Sequence, residues 1–283
     1  MIRVAIFSDI HGKILLPFKM VDAYQKEYHK KIDLIIQCGD VGIYPNLDNL
    51  DNATKKHAKH DRDELGFHDD FIHIDQKIEA FLTALNVKMI CVRGNHEDHD
   101  FLDDLEKQYA ENSLFPVDSY QYVWLCKSGE LQNFQKDHEY LSFLGFGRIG
   151  DRKNRTEKRF IQKYEYDKIK KLVNHRDLID LFITHDSDNS GDPGYGSKEI
   201  REILDHIPFQ YHFFGHTGKP YSSELDLNGI TTSIKVKELE FNDLGTLPEN
   251  CMLILEKEND KIQVNPVPVS FTNLFTKHTW NHK

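Results

Sequence analysis

A chain of 283 residues with 39% hydrophobic and 11% aromatic content can bury one large core, so a single domain over 1–283 is expected. A formal net charge of -10 excludes broad wrapping of a nucleic-acid backbone, which takes many lysines and arginines, but not a local basic patch. Cys38, Cys91, Cys126 and Cys251 form no C-x-x-C pair, which argues against a disulfide framework and for a reducing compartment. The opening "MIRVAIFSDIHG" turns polar too early for a secretory signal, and no run nears the about 18 apolar residues of a membrane span. A cytoplasmic location is therefore expected, with no membrane partner.

The first β-branched run, "RVAIFS" (3–8), leads into Asp9-Ile10-His11. A helix is predicted over 16–30, and then "DLIIQC" (33–38) leads into Gly39-Asp40. Residues 44–73 are polar, rich in Asn, Asp, His and Lys, and too long for an ordinary connection, so they read as an insertion. A helix over 74–86 precedes "KMICVR" (88–93), which runs into Gly94-Asn95-His96-Glu97. Further on, a helix is predicted over 157–175, then a strand "LIDLFIT" (178–184) ending at His185-Asp186. A helix over 197–207 and the strand "YHFF" (211–214) lead to Gly215-His216. This alternation predicts an α/β fold with a largely parallel central sheet. The runs 121–126, 140–146, 232–240 and 250–257 are expected as antiparallel neighbours in a second sheet, and 263–283 as an extended C-terminal arm.

Each of the five core strands thus ends in a residue type that binds cations. The carboxyl ends of strands border the ligand crevice of an open α/β sheet, so these residues are expected to converge. Asp9 and His11 lie two apart, and an extended chain would point them to one side. Carboxylate, imidazole and amide oxygens together suit Mn, Fe or Zn, and one aspartate can bridge two such ions. The histidines of the insertion, His57, His60, His68 and His73, are too irregularly spaced for a structural zinc site.

The order D-x-H, G-D, G-N-H-E, H and G-H between Asp9 and His216 resembles the calcineurin-like metallophosphoesterase superfamily. The resemblance implies a four-layer αββα sandwich of two mixed β-sheets flanked by helices. It implies a binuclear enzyme, with Asp9 and His11 on the first of two divalent ions, Asp40 bridging, and Asn95, His185 and His216 on the second. It implies that a metal-activated hydroxide attacks phosphorus in line while His96 contacts the phosphate and assists the leaving oxygen. "HFFGHTGKP" departs from the pattern: Gly218 stands where the family has a second histidine, so the first ion is expected to bind weakly. Asp186, Asp188 and His212 are the candidate replacements.

The "CGD" with its long insertion, "GNHE", "IDLFITHD" and "YHFFGH" are similar to RNA lariat-debranching enzymes of that superfamily. That similarity implies a phosphodiesterase acting on RNA or a nucleotide. The basic stretch "GDRKNRTEKR" (150–159), with Arg152 and Arg155 as candidate substrate contacts, and Lys55, Lys56, Lys59 and Arg62 of the insertion suit a phosphate backbone. A phosphomonoesterase or phosphoprotein phosphatase is the alternative, for "RGNHE" also occurs in serine/threonine protein phosphatases. A catalytically impaired protein-binding scaffold of the same fold is the other.

Overall fold

The computed structural model of the protein describes residues 1–153, 155–172, 177–191 and 195–281. The chain opens with β1 (Ile2–Phe7), α1 (Leu15–Tyr28) and β2 (Leu34–Gln37). The insertion folds into the short helices α2 (Asn52–His57) and α3 (Gly66–Asp70), each next to a single 3-10 turn. After it come α4 (Gln76–Leu85), β3 (Lys88–Cys91) and α5 (His99–Gln108), then β4 (Leu114–Pro116), β5 (Val123–Cys126), β6 (Leu131–Lys136) and β7 (Glu139–Phe146). The second half holds α6 (Lys163–Lys170), β8 (Ile179–Thr184), α7 (Lys198–His206) and β9 (Phe209–Phe214). Strands β10 (Ser222–Leu225), β11 (Thr232–Lys235), β12 (Leu253–Glu258) and β13 (Lys261–Pro266) precede α8 (Val269–Thr272). Part of the helix expected over 157–175 and residue 154 of the basic stretch lie outside the described residues.

Two mixed sheets result, a seven-stranded one in the order β13-β12-β1-β2-β3-β5-β4 and a six-stranded one in the order β10-β11-β9-β8-β7-β6. Alternation along β1 explains how they stack. Ile2, Val4 and Ile6 pack between the sheets with Phe143, Leu181, Ile183 and Phe213, whereas Ala5 and Phe7 face α1, α4 and α5 on the other side. On the far side of the second sheet, Phe182 and Phe209 pack against Ile200, Ile203 and Leu204 of α7 and Ile169 of α6. The spacing of those three α7 residues is that of one helix face, and Ser197 caps the helix by accepting from the Glu199 and Ile200 amides. The expected αββα sandwich is the architecture found.

The division of strands between the sheets differs from the sequence expectation. The five core strands are split, with β1, β2 and β3 mutually parallel in one sheet and β8 and β9 parallel in the other. The run 121–126 supplies β5, parallel to β3, and 250–257 supplies β12, antiparallel to β1, so both belong to the first sheet. The run 140–146 does lie in the second sheet, but parallel to β8, and 232–240 joins it only as β11, parallel to β9. Alternation reports which faces of a strand are buried; it carries no information about which strand lies alongside. Of the arm expected over 263–283, the described residues are extended only as far as Pro266, then turn through α8. There Trp280 is buried, and its indole N–H donates to Asp63 Oδ2 at 2.9 Å, fastening the C-terminal segment to the insertion.

Candidate metal centre

Strand ends β1, β2 and β3 open on the same side of one sheet, and β8 and β9 open toward it from the other. Asp9, His11, Asp40 and His216 have φ of 49°, 39°, 55° and 65°, the left-handed region that non-glycine residues rarely occupy. Such strain costs on the order of 1–3 kcal/mol per residue and gathers where a site demands it. It also corrects the extended-chain argument for Asp9 and His11. Their side chains converge because the backbone turns left-handed after Phe7, with the Ile10 and His11 amides both donating to the Asp40 carbonyl at 3.1 and 3.0 Å.

Asp40 is the hub. Its Oδ1 accepts the Asn95 and His96 amides at 2.7 and 2.8 Å, which fixes the "GNHE" turn. Its Oδ2 lies 3.2 Å from His185 Nε2 and 3.9 Å from His11 Nε2. Burial opposes the charge, yet His185 beside it holds the Asp40 carboxyl well below the usual carboxylate range. Asp9, Asp40 and His185 are all buried, and Asp9 accepts the Ser8 hydroxyl and the His216 amide. His185 Nδ1 faces the Cys38 carbonyl at 2.9 Å, which leaves Nε2 as its donor atom, 3.0 Å from Asn95 Oδ1. Burial, reinforced by the charge of His185, lowers His216 to about 4, while, against burial, the Asp40 carboxylate raises His185 to about 10, so His216 is neutral at pH 7 and His185 must give up a proton to ligate.

Two groups of ligand atoms emerge, each with its members within 4.8 Å of one another: Asp9, His11 and Asp40, and Asp40, His185 and His216. The backbone makes room for them. A Cβ on Gly94 would stand 2.0 Å from Asp40 Oδ1, and one on Gly215 2.2 Å from Asp9 Oδ2. Buried and half-buried, mixed N and O donors on preorganised turns fit a pair of divalent cations. Glu97 is a structural member. Its carboxylate accepts the Val41 and Ile43 amides at 2.9 and 2.7 Å and ties the third strand end to the second.

His96 stands beside this centre with its ring 5.4 Å from that of His11, and its Nδ1 meets Asp51 Oδ2 at 2.8 Å. Burial works against the charged ring, but the Asp51 hydrogen bond raises His96 to about 9. Asp51 also caps α2 and accepts the Tyr44 hydroxyl at 2.5 Å. Sequence reasoning missed this partner, because it lies in the polar insertion; the only local signal was its N-cap position before Asn52-Ala53-Thr54.

None of the expected replacements for the position of Gly218 joins either group. Asp186 accepts the Gly150 and Ser187 amides, Asp188 pairs with Arg201, and His212 lies buried between Thr184 and Ser233. A Cβ on Gly218 would meet nothing within 4 Å. Arg152 and Arg155, with Lys153, Arg159 and Phe160, line a cavity of about 420 Å³ that reaches His216. Lys55, Lys56 and Lys59 are exposed, and Arg62 pairs with Asp69. Among the described residues, His57, His60, His68 and His73 enter no metal-binding group.

No helix among the described residues is long and apolar enough to cross a membrane. A search of curated proteins found no match. One solved structure aligns with a TM-score of 0.54 and 17% identity, over 93% of this chain and 98% of its own. The TT1561 protein of Thermus thermophilus aligns with a TM-score of 0.50 and 14% identity, over 93% of this chain and 98% of that one. A novel phosphatase from Mycoplasma pneumoniae aligns at 0.48 and 11% identity, over 94% of this chain and 93% of its own. At identities this low, the first two speak to the fold alone. The family model for calcineurin-like phosphoesterases matches residues 2–220, a span that takes in both ligand groups and His96. The chain belongs to that family of calcineurin-like phosphoesterases, and is a metal-dependent hydrolase of phosphoesters.

Proposed function

We propose that the protein is a phosphodiesterase acting on RNA or a nucleotide, with two divalent ions (Mn, Fe or Zn) held by the two ligand groups and bridged by Asp40. The observation that carries this reading is the position of Asp40 Oδ2 between His185 Nε2 and His11 Nε2, at 3.2 and 3.9 Å. Asp9 and His11 would hold the first ion, and Asn95, His185 and His216 the second. Such a pair, when bound, acidifies a water and neutralises phosphoryl oxygens. His96, oriented through Nδ1 by Asp51, keeps Nε2 for a substrate oxygen and delivers a proton to the departing alcohol. Asp40 and Glu97 keep the 94–97 turn in place while this happens.

The basic cavity of about 420 Å³ includes His216 in its lining, and another of about 590 Å³ is lined in part by Thr217, Lys219 and Tyr221 of the loop that follows. A diester has two arms to place, and the arginines suit a further phosphate on one of them. The four buried free thiols accord with a cytoplasmic location.

The test compares Mn2+-dependent hydrolysis of bis(p-nitrophenyl) phosphate with that of the monoester, and then a 5′-phosphorylated dinucleotide with wild type and Arg152→Ala/Arg155→Ala. The diester is expected to give the higher kcat/KM. The double variant is expected to raise KM for the dinucleotide by about tenfold, as loss of a charged hydrogen bond does, and to spare the small diester. Faster turnover of the monoester would place the protein among the phosphomonoesterases instead.

A further inference from the structure

The two ligand groups are unequal. Asp40 is joined by His185 and His216, with Asn95 Oδ1 3.0 Å from His185 Nε2, in one group, and by Asp9 and His11 alone in the other. A divalent ion with N and O donors takes at least four ligands. A further carboxylate is at hand: Glu240 Oε1 lies 3.6 Å from His11 Nε2, outside the group in which Asp9, His11 and Asp40 all lie within 4.8 Å of one another, so its side chain must swing inward to join them. Two atoms bonded to one ion at about 2.0–2.2 Å, with a tetrahedral angle between them, stand about 3.4 Å apart. The Glu240 side chain is 47% exposed and pairs with no lysine or arginine among the described residues, whereas Glu238, two residues before it, is taken up by Lys235 and Lys237. Glu64, the other acid near His11, faces Lys13 at 3.7 Å.

The backbone fixes the segment that leads into Glu240. The amide of Leu239, a fully buried residue, donates to the Ser8 carbonyl at 3.0 Å, one residue before Asp9. Upstream, the Val236 amide donates to Phe214, and Lys237 Nζ donates to the Gly218 carbonyl at 3.0 Å. The segment 236–240 is thereby stitched to the loop that carries His216 and to the turn that carries Asp9.

We propose that Glu240 completes the first metal site, serving as the ligand that Gly218 cannot supply. This rests on the two-ion reading above. The donor set becomes three carboxylates and one imidazole, which favours Mn2+ or Fe2+ over Zn2+ at that position. An exposed side chain must be ordered to bind, so the first ion is the weaker of the two.

The test is Mn2+ titration of chelator-stripped protein, by calorimetry and by electron paramagnetic resonance, for wild type, Glu240→Gln and Asp260→Asn. Asp260 sits in the turn between β12 and β13, at the end of the sheet remote from the site, because β12 runs antiparallel to β1. Wild type and Asp260→Asn are expected to bind two ions and show the spectrum of a coupled pair. Glu240→Gln is expected to weaken the looser ion by at least about tenfold, the loss that even an outer partner produces. Its spectrum then becomes that of isolated Mn2+, with the tighter ion unchanged. Two ions bound by Glu240→Gln at wild-type affinity, with the coupled spectrum kept, would overturn the role of Glu240 and leave the two-ion reading standing. Equal losses in Asp260→Asn would reduce the effect to general charge and overturn it too. A wild type that never binds two ions would overturn the two-ion reading itself, and the role of Glu240 with it.

Discussion

Asp40→Ala is expected to lower Mn2+-dependent hydrolysis of bis(p-nitrophenyl) phosphate by about 10³-fold or more in kcat/KM, because one carboxylate serves both ions. The same change strips two hydrogen bonds from the "GNHE" turn, where Oδ1 accepts the Asn95 and His96 amides. Asp40→Asn separates the two effects. Its amide oxygen still accepts those N–H groups, but the charge between His185 and His11 is gone. Asp40→Asn should therefore keep its melting temperature close to that of wild type and still lose turnover to a similar extent. A variant Asp40→Asn within tenfold of wild type would mean that Asp40 shapes the turn and takes no part in the chemistry.

His96→Ala carries the second large effect, a loss of roughly 10²- to 10⁴-fold, the range of a positioned proton donor. The size of the loss depends on what leaves. p-Nitrophenolate departs without much help, whereas the sugar alkoxide of a dinucleotide needs a proton. The loss in His96→Ala is therefore expected to be greater for the dinucleotide than for bis(p-nitrophenyl) phosphate. Asp51→Asn retains a good cap for α2 but removes the charge behind His96 Nδ1, and should cost about 10- to 100-fold with the same dependence on leaving group. Equal losses on both substrates in His96→Ala would remove His96 from the proton-transfer step.

Much of the centre was legible because each strand-end ligand follows a short run of strand-forming apolar or aromatic residues, and runs of that kind end at the mouth of an α/β sheet. Asp9, Asp40, His185 and His216 all come together as their strand ends imply. What the residue pattern could not convey was long-range pairing. The runs 121–126 and 250–257 are apolar like the others, yet their partners are β3 and β1, which no local signal specifies. Asp51 and Glu240 escaped for the same reason. Asp51 reaches His96 across 45 residues from within a polar insertion, and Glu240 reaches His11 from beyond β11, after the last strand-end motif. Of the three replacements expected for Gly218 only His212 lies close in sequence, and hydrogen bonds or an ion pair occupy each of the three elsewhere. Proximity along the chain is a poor guide to a shell assembled from two sheets.

The central claim is that hydrolysis depends on a pair of divalent ions sharing Asp40. Its most direct measurement follows hydrolysis of bis(p-nitrophenyl) phosphate as chelator-stripped protein is titrated with Mn2+, with bound metal counted at each point. The account predicts no turnover in the stripped protein and a return of activity that is complete only when two ions are bound. Full turnover by protein free of metal, or none at any occupancy with Mn, Fe or Zn, would contradict it.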